Sequence, residues 1–115
     1  QLAGPTVSVV GWRSDAEIRD HLRRCRAFLF PGVEDFGIAP VEAQACGAPV
    51  LAIRSGGATE TIAEGSRDWP GSGLFFDEQT VDSLAEAIER FEGSSHRYHP
   101  TIARKNAERF AAEHY

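Results

Sequence analysis

Residues 27–53 read AFLFPGVEDFGIAPVEAQACGAPVLAI, and the fold follows from this stretch. Ala27 to Phe30 is an apolar run long enough for one buried strand, which Pro31 and Gly32 then break. The loop that follows carries Glu34 and Asp35. Pro40 suits the first turn of a helix, where its missing N–H costs nothing. Val41 to Cys46 continue that helix, and Gly47 supplies a left-handed stop. After Ala48 and Pro49, Val50 to Ile53 form a second apolar run. Strand, acidic loop, short helix and strand make a βαβ unit, whose two strands are parallel.

The chemical content of the unit is Glu34 and Glu42, with seven residues between them. Glu34 is placed on the loop leaving a strand's carboxyl end, and Glu42 in the first turn of the next helix. Open parallel sheets bind ligands beyond the carboxyl ends of their strands, so both acids are expected at one crevice. The backbone N–H groups of Phe36, Gly37 and Ile38 are free at the helix start. With the helix dipole they make a seat for an anion, usually a phosphate. Carboxylates beside a phosphate repel it, so their expected partners are hydroxyls, such as those of sugar and ribose. Taken singly, each acid also fits an ordinary surface role; the ordered set is far more specific than either.

The segment FPGVEDFGIAPVEAQACGAPVLA resembles the signature of the retaining glycosyltransferases of family 4, also grouped as glycosyl transferases group 1. That signature has two glutamates separated by seven residues, Phe-Gly soon after the first, and Gly-x-Pro-Val at the end. Here Phe36-Gly37 and Gly47-Ala48-Pro49-Val50 occupy those places. The resemblance implies a GT-B enzyme, two Rossmann-like halves with the active site in the cleft between them. It implies that Glu34 is the catalytic-site acid that hydrogen-bonds the donor sugar's hydroxyls, that Glu42 binds the nucleotide ribose, and that the amides around Gly37 and Ile38 hold the diphosphate. Retaining members of the family need no protein nucleophile. The wording is closest to bacterial mannosyltransferase-like members, which implies a mannose donor such as GDP-mannose.

The rest of the chain supports the same reading. Pro5 to Val10 alternates as a short strand ended by Gly11, with Trp12 packed where it ends. Ser14 and Glu17 have the spacing of a capping box, and Ile18, Leu22 and Cys25 share the apolar face of the helix they open. Its opposite face, rich in arginine, reads as solvated. Ser55-Gly56-Gly57 follows the second strand of the central unit, and Ala58 to Glu64 reads as a short helix. Its text, SGGATETI, matches a Gly-Gly loop of the family, so Gly56 and Gly57 are expected to line the donor crevice. Arg67 to Gly73 is turn-rich, and Leu74 to Phe76 is a strand. Thr80 or Asp82 caps a helix through Phe91, with Val81, Leu84, Ala85, Ile88 and Phe91 on its apolar face. Glu92 to His99 is a polar connection, in which His96 and His99 are solvated rather than metal ligands. A last helix runs from Pro100 towards His114, turning Ile102, Ala103, Ala107, Phe110 and Ala111 inward. Its Ala107, Arg109 and Phe110 resemble the AxRF text near the end of family members.

Composition bounds what remains. A chain of 115 residues with 42% hydrophobic residues is sized for one domain. A formal charge of −5 argues against a nucleic-acid partner. No apolar run is long enough to span a membrane. Cys25 and Cys46 lack metal-ligand or redox spacing and read as two packed thiols of a reducing cytosol.

The expected architecture is α/β, a three-layer Rossmann-like parallel sheet of about four strands belonging to the C-terminal half of a GT-B fold. A whole GT-B enzyme needs roughly three times this length, so the chain reads as a fragment truncated on its N-terminal side, a degraded relative being the alternative. The resemblance implies a nucleotide-sugar donor and a glycan or lipid acceptor bound by the other half; the sequence has no Asp-x-Asp motif, so no metal is expected, and no cofactor beyond the donor. It implies a cytoplasmic protein, with association at the inner membrane face and self-association of the fragment as further expectations. Two other readings compete: a non-catalytic Rossmann-like binding module, and a GT-B relative such as a sugar-nucleotide epimerase or phosphorylase.

Overall fold

The computed structural model describes residues 11–33, 38–65 and 71–114, without the side chains of residue 38 and residues 111–114. The expected strand over Pro5 to Val10 lies outside them, as does most of the turn from Arg67. Helix α1 (Asp15–Arg24) comes first, then β1 (Phe28–Phe30), α2 (Ile38–Ala45), β2 (Val50–Ile53) and α3 (Ala58–Thr61). After these come β3 (Gly73–Phe76), α4 (Val81–Ser94), a short 3-10 turn (Ser95–Arg97) and α5 (Pro100–His114).

The three described strands run parallel in the order β1-β2-β3, with Phe28, Leu29 and Phe30 opposite Val50, Leu51 and Ala52. Val50 to Ile53 in turn face Gly73 to Phe76. Every residue of β2 and β3 is buried, as expected of parallel strands covered on both faces. Alternation divides the core in two. Val50, Ala52 and Phe75 pack with Ala43 of α2 and Ala58 of α3, while Leu51, Ile53, Leu74 and Phe76 pack with Ala87 and Phe91 of α4. The result is helix, sheet and helix in three layers. Burying each large apolar side chain here is worth about 1.5–3 kcal/mol. The buried small residues Ala103 and Ala107 let α5 close against α2.

The helix ends follow their chemistry. Ser14 Oγ accepts from the Glu17 amide at 3.2 Å, and Glu17 Oε1 accepts from the Ser14 amide at 3.1 Å, completing the capping box of α1. α2 ends in a Schellman motif: Gly47 has φ of 93°, Ala48 N–H donates to the Ala43 carbonyl at 3.0 Å, and Gly47 N–H donates to Gln44 at 2.9 Å. Thr80, rather than Asp82, caps α4 by accepting from the Ser83 amide.

Several expectations are corrected. α2 starts two residues before Pro40, so Glu42 is its fifth residue and lies past the first turn. Pro40 at the third position still loses no bond, since the first helical N–H groups have no partner within the helix. α3 stops at Thr61, and Glu64 bridges to Gly73 in strand fashion instead. On α4, Val81 and Ala85 are exposed and Ala87 is buried: the first turn lies beyond the short sheet, and the face over it runs through Leu84, Ala87, Ile88 and Phe91. The helix also continues to Ser94, beyond the expected end at Phe91. No residue of α1 is buried; Leu22 is half-buried against the sheet, whereas Ile18 and Cys25 are exposed. Trp12, 84% exposed, does not pack where it was expected to.

Candidate functional site at the carboxyl edge of the sheet

Because the strands are parallel, the segments after Phe30, Ile53 and Phe76 leave one edge of the sheet together. From β1 the chain passes through Pro31 and Gly32 towards α2. Glu34, Phe36 and Gly37 lie outside the described residues, so three of the expected site residues have no structural account. Ile38 opens α2 at this edge. With Pro40 lacking an N–H, the amides of Ile38 and Ala39 are the described first-turn donors that no helical carbonyl takes up. Ala39 was missed in the sequence because the helix was started at Pro40.

Glu42 stands out by its surroundings. Pro40, Val41, Ala43, Gln44 and Cys46 are all buried, between the sheet on one side and α5 on the other. Glu42 and Ala45 are exposed. No described residue forms a hydrogen bond or ion pair with the Glu42 carboxylate. A charged group left open to solvent on a mostly buried helix is available to a ligand's hydroxyls.

The segment leaving β2 carries the glycine pair. Gly56 is exposed with φ of 67°, a conformation other residues adopt at a cost, and the Thr59 hydroxyl donates to its carbonyl at 2.8 Å. Gly57 is buried, precedes α3, and accepts from the Glu60 amide at 3.0 Å. Ile38, at the start of α2, and Gly56 and Gly57, on the loop after β2, thus follow neighbouring strands at one edge, and Glu42 lies one turn into the helix that rises from it.

Two contacts here had no sequence signal. Gln79 Nε2 donates to the Pro31 carbonyl at 2.9 Å, tying the loop after β3 to the loop after β1. Arg54, just past β2, donates through Nη1 and Nη2 to the Glu64 carboxylate at 3.0 and 3.1 Å, and through Nε to Asp77 at 3.0 Å. Its guanidinium lies 4.9 Å from the Phe75 ring centre. Its hydrogen bonds to Glu64, then to Asp77, raise its pKa above the usual arginine value. Arg54 is therefore already occupied by two acids, and it ties the end of β2 to Asp77 after β3 and to Glu64.

A cavity of about 760 Å³ lies elsewhere, with Ala63, Ile102, Asn106 and Arg109 in its wall. Ala63 bonds with Ser72 just before β3, which puts this cavity at the amino edge of the sheet, away from the glycine pair. Among the described residues no group of three or more His, Cys, Asp or Glu is placed to hold a metal. No helix among them is long and apolar enough to cross a membrane.

Residues 2–110 match the family described as glycosyl transferases group 1. The chain belongs to that family. A GDP-mannose-dependent monoacylated alpha-(1-6)-phosphatidylinositol monomannoside mannosyltransferase of Corynebacterium glutamicum is 46% identical over 56 residues, which is 49% of this chain and 13% of that protein. A D-inositol 3-phosphate glycosyltransferase of Nocardiopsis dassonvillei is 45% identical over 74 residues, 64% of this chain and 16% of that protein. The chain thus spans less than a fifth of the length of either relative. Among solved structures, sucrose-phosphate synthase from Thermosynechococcus elongatus superposes on 87% of the chain, and on 25% of its own, with a TM-score of 0.74 at 25% identity. This agrees with the GT-B type of α/β fold expected of a group 1 glycosyltransferase.

Proposed function

We propose that this chain is the donor-binding part of a retaining glycosyltransferase that moves a hexose, mannose on the present reading, from a nucleoside diphosphate sugar to a glycan or lipid acceptor. The observation that carries this is Glu42, an exposed acid with no partner among the described residues, on a largely buried helix that starts at the strand tips. Its carboxylate accepts hydrogen bonds from the ribose hydroxyls. The amides of Phe36, Gly37 and Ile38 receive the diphosphate, aided by the dipole of α2. Gly56 and Gly57 let the backbone approach the donor closely. Glu34 holds hydroxyls of the donor sugar at the reacting centre. The nucleoside diphosphate is the leaving group, and no metal is assigned a role.

The mannose assignment is supported by the wording of the signature and by the GDP-mannose-dependent relative. Titration of the 15N-labelled chain with GDP, UDP and their hexose conjugates tests it. The reading expects shifts of the Ile38, Gly56 and Gly57 amides, larger with the guanine nucleotide. Shifts confined to the amino edge, or none with any nucleotide, contradict it. In an active enzyme carrying this segment, Glu34→Gln is expected to reduce turnover by orders of magnitude.

A further inference from the structure

On the side of α2 away from Glu42 sits a buried amide. Gln44 is fully enclosed and uses every polar atom of its side chain. Nε2 donates to the carbonyls of Pro40 and Thr61, both at 3.1 Å, and Oε1 accepts from Asn106 Nδ2 at 2.6 Å. Asn106 Nδ2 also reaches the Thr61 carbonyl at 2.8 Å and Ser72 Oγ at 3.2 Å. Its Oδ1 accepts from Arg109 Nε at 2.9 Å. Four parts of the chain are joined at this point: α2, the end of α3, the approach to β3, and α5.

The amide pair supplies buried donors to the carbonyls of Pro40 and Thr61, and unlike apolar packing it also adds directionality. Residues two apart on a helix point about 200° from each other, so Gln44 and Glu42 are nearly opposite. Gln44 therefore sets the rotation of α2 about its axis, and Glu42 follows that rotation on the outside. With side chains about 5–6 Å from the axis, a turn of about 10° moves the carboxylate by about 1 Å. A shift of that size stretches a hydrogen bond out of range, and losing one made by a charged group costs about 10- to 100-fold in affinity.

We propose that Gln44 and Asn106 are positioning residues: their buried amide contact holds α2 at the rotation in which Glu42 and the first-turn amides meet a nucleoside diphosphate sugar. The role of Glu42 in this statement rests on the donor-binding reading above.

The test compares Gln44→Met, Asn106→Leu and the exchanged pair Gln44→Asn/Asn106→Gln with the unsubstituted full chain, at a temperature where circular dichroism shows each folded. Native-state hydrogen exchange needs no ligand. In the single variants the α2 amides are expected to exchange at least about 10-fold faster, beyond any change in the β2 amides, with most of the protection recovered in the exchanged pair. NMR titration with GDP is expected to show binding weakened at least about 10-fold in the single variants and restored in the exchanged pair. If α2 and β2 amides change together and GDP affinity stays within about 2-fold, the pair contributes stability alone and the proposal is overturned. If the unsubstituted chain binds no nucleoside diphosphate, the donor-binding reading falls, and hydrogen exchange still decides whether the pair holds α2.

Discussion

Gly73 lies against the Val50 carbonyl so closely that a Cβ on it would sit 2.2 Å from that oxygen and 2.7 Å from a methyl group of Ile62. The two residues are register partners at the start of β2 and β3, where the Ser72 carbonyl also accepts from the Val50 amide at 3.1 Å. Backbone on one side and a core side chain on the other leave nowhere for a methyl group to go. Gly73→Ala is therefore expected to lower stability by at least about 2 kcal/mol, measured by urea unfolding. An unchanged midpoint contradicts the register described here.

α1 stands differently, because it has no buried residue to anchor it. Its persistence depends on the Ser14 and Glu17 capping box more than on packing. Ser14→Ala is expected to cost about 1 kcal/mol, felt locally. Amide exchange in α1 is expected to quicken while β2 is unaffected; equal protection in both proteins contradicts this.

The thiols differ in accessibility and allow a pH test. Cys46 is buried, and Cys25 is exposed as a residue although its Sγ lies 3.3 Å from the Leu22 carbonyl. Partial burial is the main cause pushing the Cys25 thiol pKa up, with the nearby Cys46 adding to it. The folded chain then holds this proton more tightly than the unfolded chain. Its contribution to stability is complete below the ordinary thiol pKa of about 8.5 and is lost as pH rises from there through the raised folded value. Alkylation of Cys25, followed by peptide mass spectrometry, is expected to show a midpoint above that of the urea-unfolded chain. A midpoint at or below it contradicts the burial assigned to Cys25.

Much of this was legible in the sequence, for physical reasons. Val50 to Ile53 and Leu74 to Phe76 are continuous apolar runs, a form that parallel strands buried on both faces favour, and their flanking glycines and prolines mark the limits. Gly47 marked the end of α2 correctly because a left-handed residue there leaves few alternatives. The start of α2 was misplaced because proline is tolerated at each of the first helical positions and so does not number them. Val81 and Ala85 were assigned to the core from periodicity, which knows nothing of where a short sheet ends.

The buried amides were the larger omission. Glutamine is a residue type mostly found exposed, and Gln44 was not among the expected core residues. Yet it falls on the same stripe as Pro40 and Val41, and Asn106 follows Ala103 by three positions on the inward stripe of α5. A polar residue in the middle of an apolar stripe was the available sign.

The donor-binding account stands or falls most directly on Glu42→Gln. The change keeps the size and surface position of the side chain and removes its charge, so the fold is expected to persist with an unchanged circular dichroism spectrum. Loss of a charge-assisted hydrogen bond to ribose is expected to weaken GDP binding about 10- to 100-fold by NMR titration. Equal affinity in the two proteins, with both folded, contradicts the place given to Glu42.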